Sequence, residues 1–417
     1  MTFDCRRLSG ASDVLLVIKT GATELFSKLP THLLTTLTCV PDYLIFSDMD
    51  QFVGSLEIHD ALASISDKWK IEDQYLSTLY PKLKEYQNKG LDLTDLSMEG
   101  AWELDKWKNV PMAIEAYKKY PDKKWFVFID ADSAILWSNL LLWLEKQDPN
   151  QRLYFGSPVY IGFTTFAHGG SGYVLSAAAA KMLVELEPEN KEHWEKRTSE
   201  VCCGDQMLAE ALQSGGVEIT NLNPVIHGLT PRSVDYDEWH WCKAPVTWHH
   251  VTPAEVEELW TWEQDWLKEK GREVPILYSD LFYYYAGQQL ITTVDPVTGA
   301  PLTSPERNRT NWDNLSGGRE FIVTEEELAS NVVGPFSSAE DCKNMCASQA
   351  ECLQWKWRPG KCRLGHLPCL GRKPFAHWDR GNQDNTRDLT SGWMEEKIRE
   401  YVEKLGECDM DRALNVQ

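Results

Sequence analysis

Trp125-Phe126-Val127-Phe128-Ile129-Asp130-Ala131-Asp132 carries five apolar or aromatic residues straight into a pair of carboxylates. An unbroken apolar run without period-two alternation is the pattern of a strand covered on both faces. Residues at i and i+2 of a strand point to the same side, so Asp130 and Asp132 can face one divalent cation. In open α/β sheets, ligands bind beyond the carboxyl ends of the strands. A helix-like apolar stretch, residues 135–144, follows directly. The order of strand, acidic turn and helix predicts an α/β fold that holds a metal and a phosphorylated ligand at its strand ends.

The Asp-x-Asp spacing also occurs at Asp48/Asp50, Asp235/Asp237 and Asp409/Asp411. Pairs of this kind are commonly solvated loop charges. Asp48/Asp50 shares the context of Asp130/Asp132 in part, because it follows the apolar stretch Tyr43-Leu44-Ile45-Phe46. Upstream, residues 13–19 (DVLLVIK) read as a first buried strand, followed by the small-residue turn Thr20-Gly21-Ala22-Thr23 and a helix-like segment to about residue 38. Residues 60–120 are helical in pattern, with a break around 88–99. Residues 152–156 read as a strand, 171–187 as strand into helix, and 254–270 as an acidic, Trp-rich helix. Strands alternating with helices predict a mainly parallel sheet with helices on both faces.

At 417 residues the chain has room for two domains, one of them large. A net charge of −21 leaves no basic stripe to meet nucleic acid phosphates or an anionic membrane surface. No apolar run is long enough to span a bilayer. The chain nevertheless holds 11 cysteines and two glycosylation sequons, at Asn308 and Asn314. Six cysteines fall late: Cys342, Cys346, Cys352, Cys362, Cys369 and Cys408. They read as a disulfide framework formed in an oxidising compartment, with an N-terminal targeting segment expected ahead of this chain. Composition changes after residue 270. Residues 271–325, which include both sequons, are expected to be an exposed extension or linker. Residues 326–417 are expected to form a small cysteine-rich domain with a terminal helix from about 393 to 405. Among the five earlier cysteines, the expected pairs are Cys5–Cys39 and Cys242 with either Cys202 or Cys203.

Three further segments carry chemistry. His168-Gly169-Gly170-Ser171-Gly172-Tyr173 lets backbone approach a ligand closely, or is simply a tight turn. In Cys202-Cys203-Gly204-Asp205-Gln206, Asp205 stands at the start of a helix-like run. It is either an N-cap or a base for an acceptor hydroxyl. In Trp248-His249-His250-Val251, adjacent histidines on a strand point to opposite faces, so one of them is expected to reach a given metal.

Taken in order, Phe128-Ile129-Asp130-Ala131-Asp132, His168 through Ser176, Gly204-Asp205-Gln206 and Trp248-His249-His250-Val251 resemble glycosyltransferase family 31. The likeness is to its Fringe-like and core-1 galactosyltransferase-like members, of the fungal type, and covers about residues 12–265. Lys19-Thr20-Gly21-Ala22-Thr23 and Phe46-Ser47-Asp48 look like that family's two early strand ends. The resemblance implies a GT-A fold and inverting transfer of galactose, glucose or N-acetylglucosamine from a UDP-sugar to a glycan or glycoprotein, with Mn²⁺. It implies Asp130, Asp132 and His249 as metal ligands, with His250 as the alternate, and Asp205 as the base. The family's middle acidic residue is replaced here by Ala131. Lys19, Thr20, Asp48, Asp130, Gly169 and Gly170 are the expected donor-binding residues, and Trp239 and Trp241 the expected acceptor-stacking residues, with Trp248 a further candidate. The Cys342, Cys346, Cys352 and Cys362 spacing around Gln354-Trp355-Lys356-Trp357 is similar to PAN/apple-type modules, which bind protein or carbohydrate. The implied location is the Golgi lumen or the exterior of the cell.

Overall fold

The computed structural model describes residues 4–96, 100–285, 308–330, 332–373 and 388–414. The described residues divide into two compact units: those within 4–228 with 245–275, and those within 229–244 with 276–414.

The first unit is built on twelve strands among the described residues: β1 (Val14–Lys19), β2 (Tyr43–Ser47), β3 (Gln51–Val53), β4 (Leu56–Asp60), β5 (Trp125–Asp130), β6 (Ala134–Ile135), β7 (Tyr154–Gly156), β8 (Pro158–Ile161), β9 (Thr164–Ala167), β10 (Tyr173–Ser176), β11 (Ile219–Asn221) and β12 (Thr247–Trp248). Eight of them form one sheet in the order β11-β7-β10-β5-β1-β2-β4-β3. The β5-β1-β2-β4 pairings are parallel, as is β11-β7, while β10 and β3 run antiparallel to their neighbours. The architecture is therefore α/β with a mainly parallel central sheet. β1 and β5 lie at its centre. Leu15, Leu16, Val17, Phe126 and Val127 are fully or almost fully buried, as continuous apolar runs require.

Helices cover the sheet. Helix Ala177–Glu200 leaves β10 directly, its start capped by the Ser176 side chain accepting from the Ala179 N–H. Helix Pro253–Lys270 starts with a capping box between Thr252 and Glu255 and proline at its first position, and stops at Gly271, whose φ is +80°. The expected helix over 135–144 begins two residues later, at Trp137. Residues 134 and 135 form β6 instead, paired antiparallel with β12.

The second unit holds a five-stranded antiparallel sheet in the order β13-β17-β15-β16-β14, where β13 is Asn308–Thr310, β14 Glu320–Ile322, β15 Gln354–Arg358, β16 Lys361–Gly365 and β17 Thr390–Trp393. Two of these strands come from the segment expected to be a linker, so residues 308–322 are framework rather than exposed extension. The buried Cys342, Cys346, Cys352, Trp355, Cys362 and Leu364 form a core between this sheet and helix Ala339–Ser348.

The described disulfides are Cys5–Cys39, Cys202–Cys203, Cys242–Cys408, Cys342–Cys362 and Cys346–Cys352. The Cys5–Cys39 expectation holds. The Cys242 expectation does not: Cys202 and Cys203 bond to each other, and Cys242 reaches Cys408, 166 residues away. The thiol left over is the buried Cys369. A framework of this density is that of a chain folded in an oxidising compartment. Among the described residues no helix is long and apolar enough to cross a membrane.

The Asn314 sequon, expected to be exposed, is buried instead. The side chain is fully buried, and its amide donates to the carbonyls of Trp355 and Gly392 at 3.1 and 3.2 Å. An amide enclosed by its own sheet has no room for a glycan in the folded state. Asn308 opens β13, and its side chain lies outside the described residues.

Candidate functional site

The parallel strands β5, β1 and β2 end side by side, and their carboxyl ends collect the predicted residues. Lys19 closes β1 in direct register with Asp130 at the end of β5. Its ammonium lies 3.4 Å from Asp130 Oδ1 and also bonds the carboxylate of Asp105. Burial alone would lower the pKa of this ammonium; the charges of Asp105 and Asp130 outweigh that and raise it. Asp48, one residue past β2, accepts from the Ala22 N–H at 2.8 Å and pairs with Lys108 at 2.6 Å. Lys108 is almost completely buried. It also donates to the Thr20 carbonyl at 2.9 Å and lies 3.2 Å from Asp105 Oδ1. Asp48, Asp105 and Asp130 thus interleave with Lys19 and Lys108 in one network, buried at Asp48 and Lys108 and part-exposed at Asp105 and Asp130. Asp105 and Lys108 carry no motif, and the segment that holds them reads from sequence only as part of a helical stretch rich in Leu, Lys and Glu.

A short ladder sets the geometry of the acidic turn. β6 pairs antiparallel with β12, with Trp248 opposite Ala134, and Val251 donates its N–H to the Asp132 carbonyl at 3.0 Å. Continuing that register past the end of β12 brings His249 and His250 alongside Ser133 and Asp132. His249 Nε2 lies 3.4 Å from Asp132 Oδ1, and His250 Nδ1 lies 4.0 Å from Asp132 Oδ2. One ring nitrogen from each histidine and one carboxylate oxygen of Asp132 all fall within 4.8 Å of one another. Both histidines therefore face Asp132, contrary to the strand-alternation expectation. The reason is local: His250 has φ +58°, a left-handed conformation uncommon outside glycine, and it stacks its ring on His249 with centroids 3.7 Å apart. Strain of this kind, costing about 1–3 kcal/mol, concentrates at functional positions.

Asp130 is not part of that three-donor group; its carboxylate is turned to Lys19. Burial raises its pKa, opposed by the Lys19 charge and reinforced by Asp105 and Asp132. Burial also penalises the charge on Asp132. Hydrogen bonding from His249 and the charge of Lys28 win there and hold that carboxyl well below its ordinary range. Lys28 lies on helix Leu25–Leu34 with its ammonium 3.2 Å from Asp132 Oδ2. His32, on the same helix, donates its Nε2–H to the Ala131 carbonyl at 3.0 Å. Ala131 itself is buried, so the position taken by the middle acid in the resembled family points away from solvent here.

The glycine loop meets both ends of this arrangement. The Gly169 N–H donates to Asp205 Oδ2 at 2.8 Å, while Asp205 Oδ1 accepts from the Gln206 N–H at 2.9 Å. Asp205 lies in the first turn of helix Gly204–Ser214, and its carboxylate remains part-exposed. Gly170 packs against the His249 ring, where a Cβ would fall 2.1 Å from Cε1. Ser133 Oγ donates to the Gly170 carbonyl at 2.7 Å and ties the loop to the acidic turn.

The tryptophans divide. Trp241 is buried, donates its indole N–H to the Gly406 carbonyl and packs on Phe282, so its faces are not open to a sugar. Trp248 is likewise fully buried. Trp239 is 57 % exposed and belongs to the second unit, as does Trp241.

No family model matches the chain. Among solved structures it is similar, with a TM-score of 0.25 and 12 % identity over 59 % of this chain and 97 % of the other, to the crystal structure of a glycosyltransferase involved in the glycosylation of the major capsid of PBCV-1. A likeness at that level fixes neither the fold nor the chemistry.

Proposed function

We propose that the chain is a metal-dependent inverting glycosyltransferase of GT-A type. It moves galactose, glucose or N-acetylglucosamine from a UDP-sugar to a hydroxyl of a glycan or glycoprotein, in the Golgi lumen or outside the cell. The observation that carries this reading is the convergence of Asp132, His249 and His250 next to the place where β1 has β2 on one side and β5 on the other. Such a reversal of strand order opens a ligand crevice in α/β sheets.

One carboxylate and two imidazoles suit Mn²⁺ or a related transition ion better than Mg²⁺ or Ca²⁺. Among the described residues the buried His249 Nδ1 has no hydrogen-bond partner, which fits an imidazole shaped for a ligand other than protein. Asp132, His249 and His250 are the residues that would hold the ion. When bound, it supplies neutralisation of the charge left on the diphosphate.

The chain's own groups do the rest. Asp130 and Lys19, fixed against each other by strand register, present one anion and one cation to the nucleotide side of the crevice. Gly169 and Gln206 aim the Asp205 carboxylate with two backbone N–H bonds and leave it lone pairs for an acceptor proton. A base on the side opposite the departing diphosphate gives a single displacement with inversion. The second unit, with its two close-spaced disulfides around β15 and β16, is read as a PAN/apple-like binding module.

The test is turnover of a UDP-sugar panel with and without Mn²⁺. Wild type is expected to show metal-dependent release of UDP, lost in Asp132→Ala. Asp205→Asn is expected to lower kcat by about 10²–10⁴ with donor binding retained. Donor and Mn²⁺ binding with no turnover of any sugar would instead favour a non-catalytic carbohydrate- or protein-binding role.

A further inference from the structure

Lys28 stands at the one carboxylate of the three-donor group. Among the described residues its ammonium pairs with Asp132 Oδ2 at 3.2 Å and with Glu24 Oε2, one helical turn back, at 2.9 Å. The imidazole of His249 approaches the other oxygen of the same carboxylate, so Asp132 is held by a lysine on one side and a histidine on the other. Lys28 is only partly exposed, and its helix is anchored to the acidic turn by His32 at the Ala131 carbonyl.

An ammonium this close to a metal-binding carboxylate opposes a bare divalent cation. The same ammonium is attracted to the diphosphate of a cation–diphosphate pair, whose negative charge outweighs the repulsion from the cation. We infer that Lys28 is an exchangeable counter-ion that couples cation binding to diphosphate binding. Without donor it neutralises Asp132. When the metal and nucleotide enter together, Asp132 passes to the metal and Lys28, still tethered to Glu24, turns to the diphosphate. Bare cation is thereby bound weakly and the cation–nucleotide pair strongly. No covalent bond is made or broken in the exchange: the Lys28–Asp132 pair would give way to one between Asp132 and the metal and one between Lys28 and the diphosphate, with Lys28–Glu24 kept. The inference rests on the proposed metal site at Asp132, His249 and His250.

The experiment measures Mn²⁺ binding by electron paramagnetic resonance, with no turnover required, in the full chain with and without UDP. Lys28→Met and Lys28→Gln are compared with wild type, Lys28→Arg and Asp132→Ala, each checked for folding by circular dichroism. Both neutral variants are expected to bind bare Mn²⁺ roughly tenfold more tightly than wild type, and to show a smaller tightening on addition of UDP. Lys28→Arg should behave as wild type. Unchanged bare-Mn²⁺ affinity and unchanged UDP coupling in the neutral variants, with Asp132→Ala still losing the ion, overturns the Lys28 inference and leaves the metal site standing. Wild type that binds no Mn²⁺, with or without UDP, overturns both.

Discussion

At the scale of single residues, Gly170 shows how tightly the histidine pair is placed. An added Cβ would fall 2.1 Å from Cε1 and 2.3 Å from Nε2 of His249, closer than any carbon can approach. The imidazole is buried and stacked on His250, so it cannot yield without leaving Asp132. Gly170→Ala is therefore expected to weaken Mn²⁺ binding at least about tenfold, while the melting temperature moves by only a few degrees, since the adjustment is confined to one ring. A variant that binds Mn²⁺ like wild type would show that His249 is not a ligand. Asp132, Asp205 and the histidines stand out as candidates in the sequence through the order of four short strings along the chain, since no one of those strings is distinctive by itself. Asp105 and Lys108 do not. A lysine among lysines gives no sign that it is the one turned inward, and only the fold shows that Asp48 and the Thr20 carbonyl wait for it. The conformation of His250 was equally illegible, since nothing in the string Trp248-His249-His250-Val251 signals a left-handed φ of +58° two residues past the end of β12.

At the scale of elements, the readable ones are those whose burial is complete. β1, β2 and β5 announce themselves by unbroken apolar runs, and β10 by its passage into a capped helix. The short ones, such as β11 with its exposed residues and the two-residue β6, have too few side chains to set a period. Glu263 illustrates what helix packing adds. It lies mid-helix in Pro253–Lys270, is almost fully buried, and accepts from both the N–H and the hydroxyl of Ser138 at 2.7 Å, at the start of helix Trp137–Leu144. Burial is the dominant influence and pushes its carboxyl up from 4.5 to about 7, although the Ser138 bonds pull the other way. The folded form then holds its proton more tightly than the unfolded chain. This contribution is complete below pH 4.5 and disappears as pH rises through 7, amounting to about 3 kcal/mol across the window. Chemical denaturation between pH 4.5 and 8 should show wild type losing stability relative to Glu263→Gln, whose side chain stays neutral. Parallel pH profiles for the two proteins would mean that Glu263 is not the titrating group.

At the scale of the whole molecule, composition alone placed a boundary near residue 270. The second compact unit instead joins residues 229–244 to the described residues from 276 onward. The chain returns because Cys242 is bonded to Cys408 and because Ala244 donates its N–H to the Ala413 carbonyl. Pairings of that range leave no local trace, and cysteine counting cannot choose among them. The second unit has a core small enough that its disulfides matter. Cys342–Cys362 and Cys346–Cys352 both fasten helix Ala339–Ser348, the first to β16 and the second to the turn before β15, and all four cysteines are buried in the cluster with Trp355 and Leu364. Closing the loop of sequence separation 20 removes chain entropy worth about 3 kcal/mol from the unfolded state. Replacing Cys342 and Cys362 together with serine forfeits that and leaves two hydroxyls in an apolar cluster, so the helix should open locally well before the chain melts. Limited trypsin digestion reads this directly, because Lys343 lies on the helix and Lys361 begins β16. The double variant is expected to be cut at these lysines under conditions that spare wild type. Equal resistance in the two proteins would mean that the β15–β17 ladder and its apolar contacts hold the helix without the covalent staple.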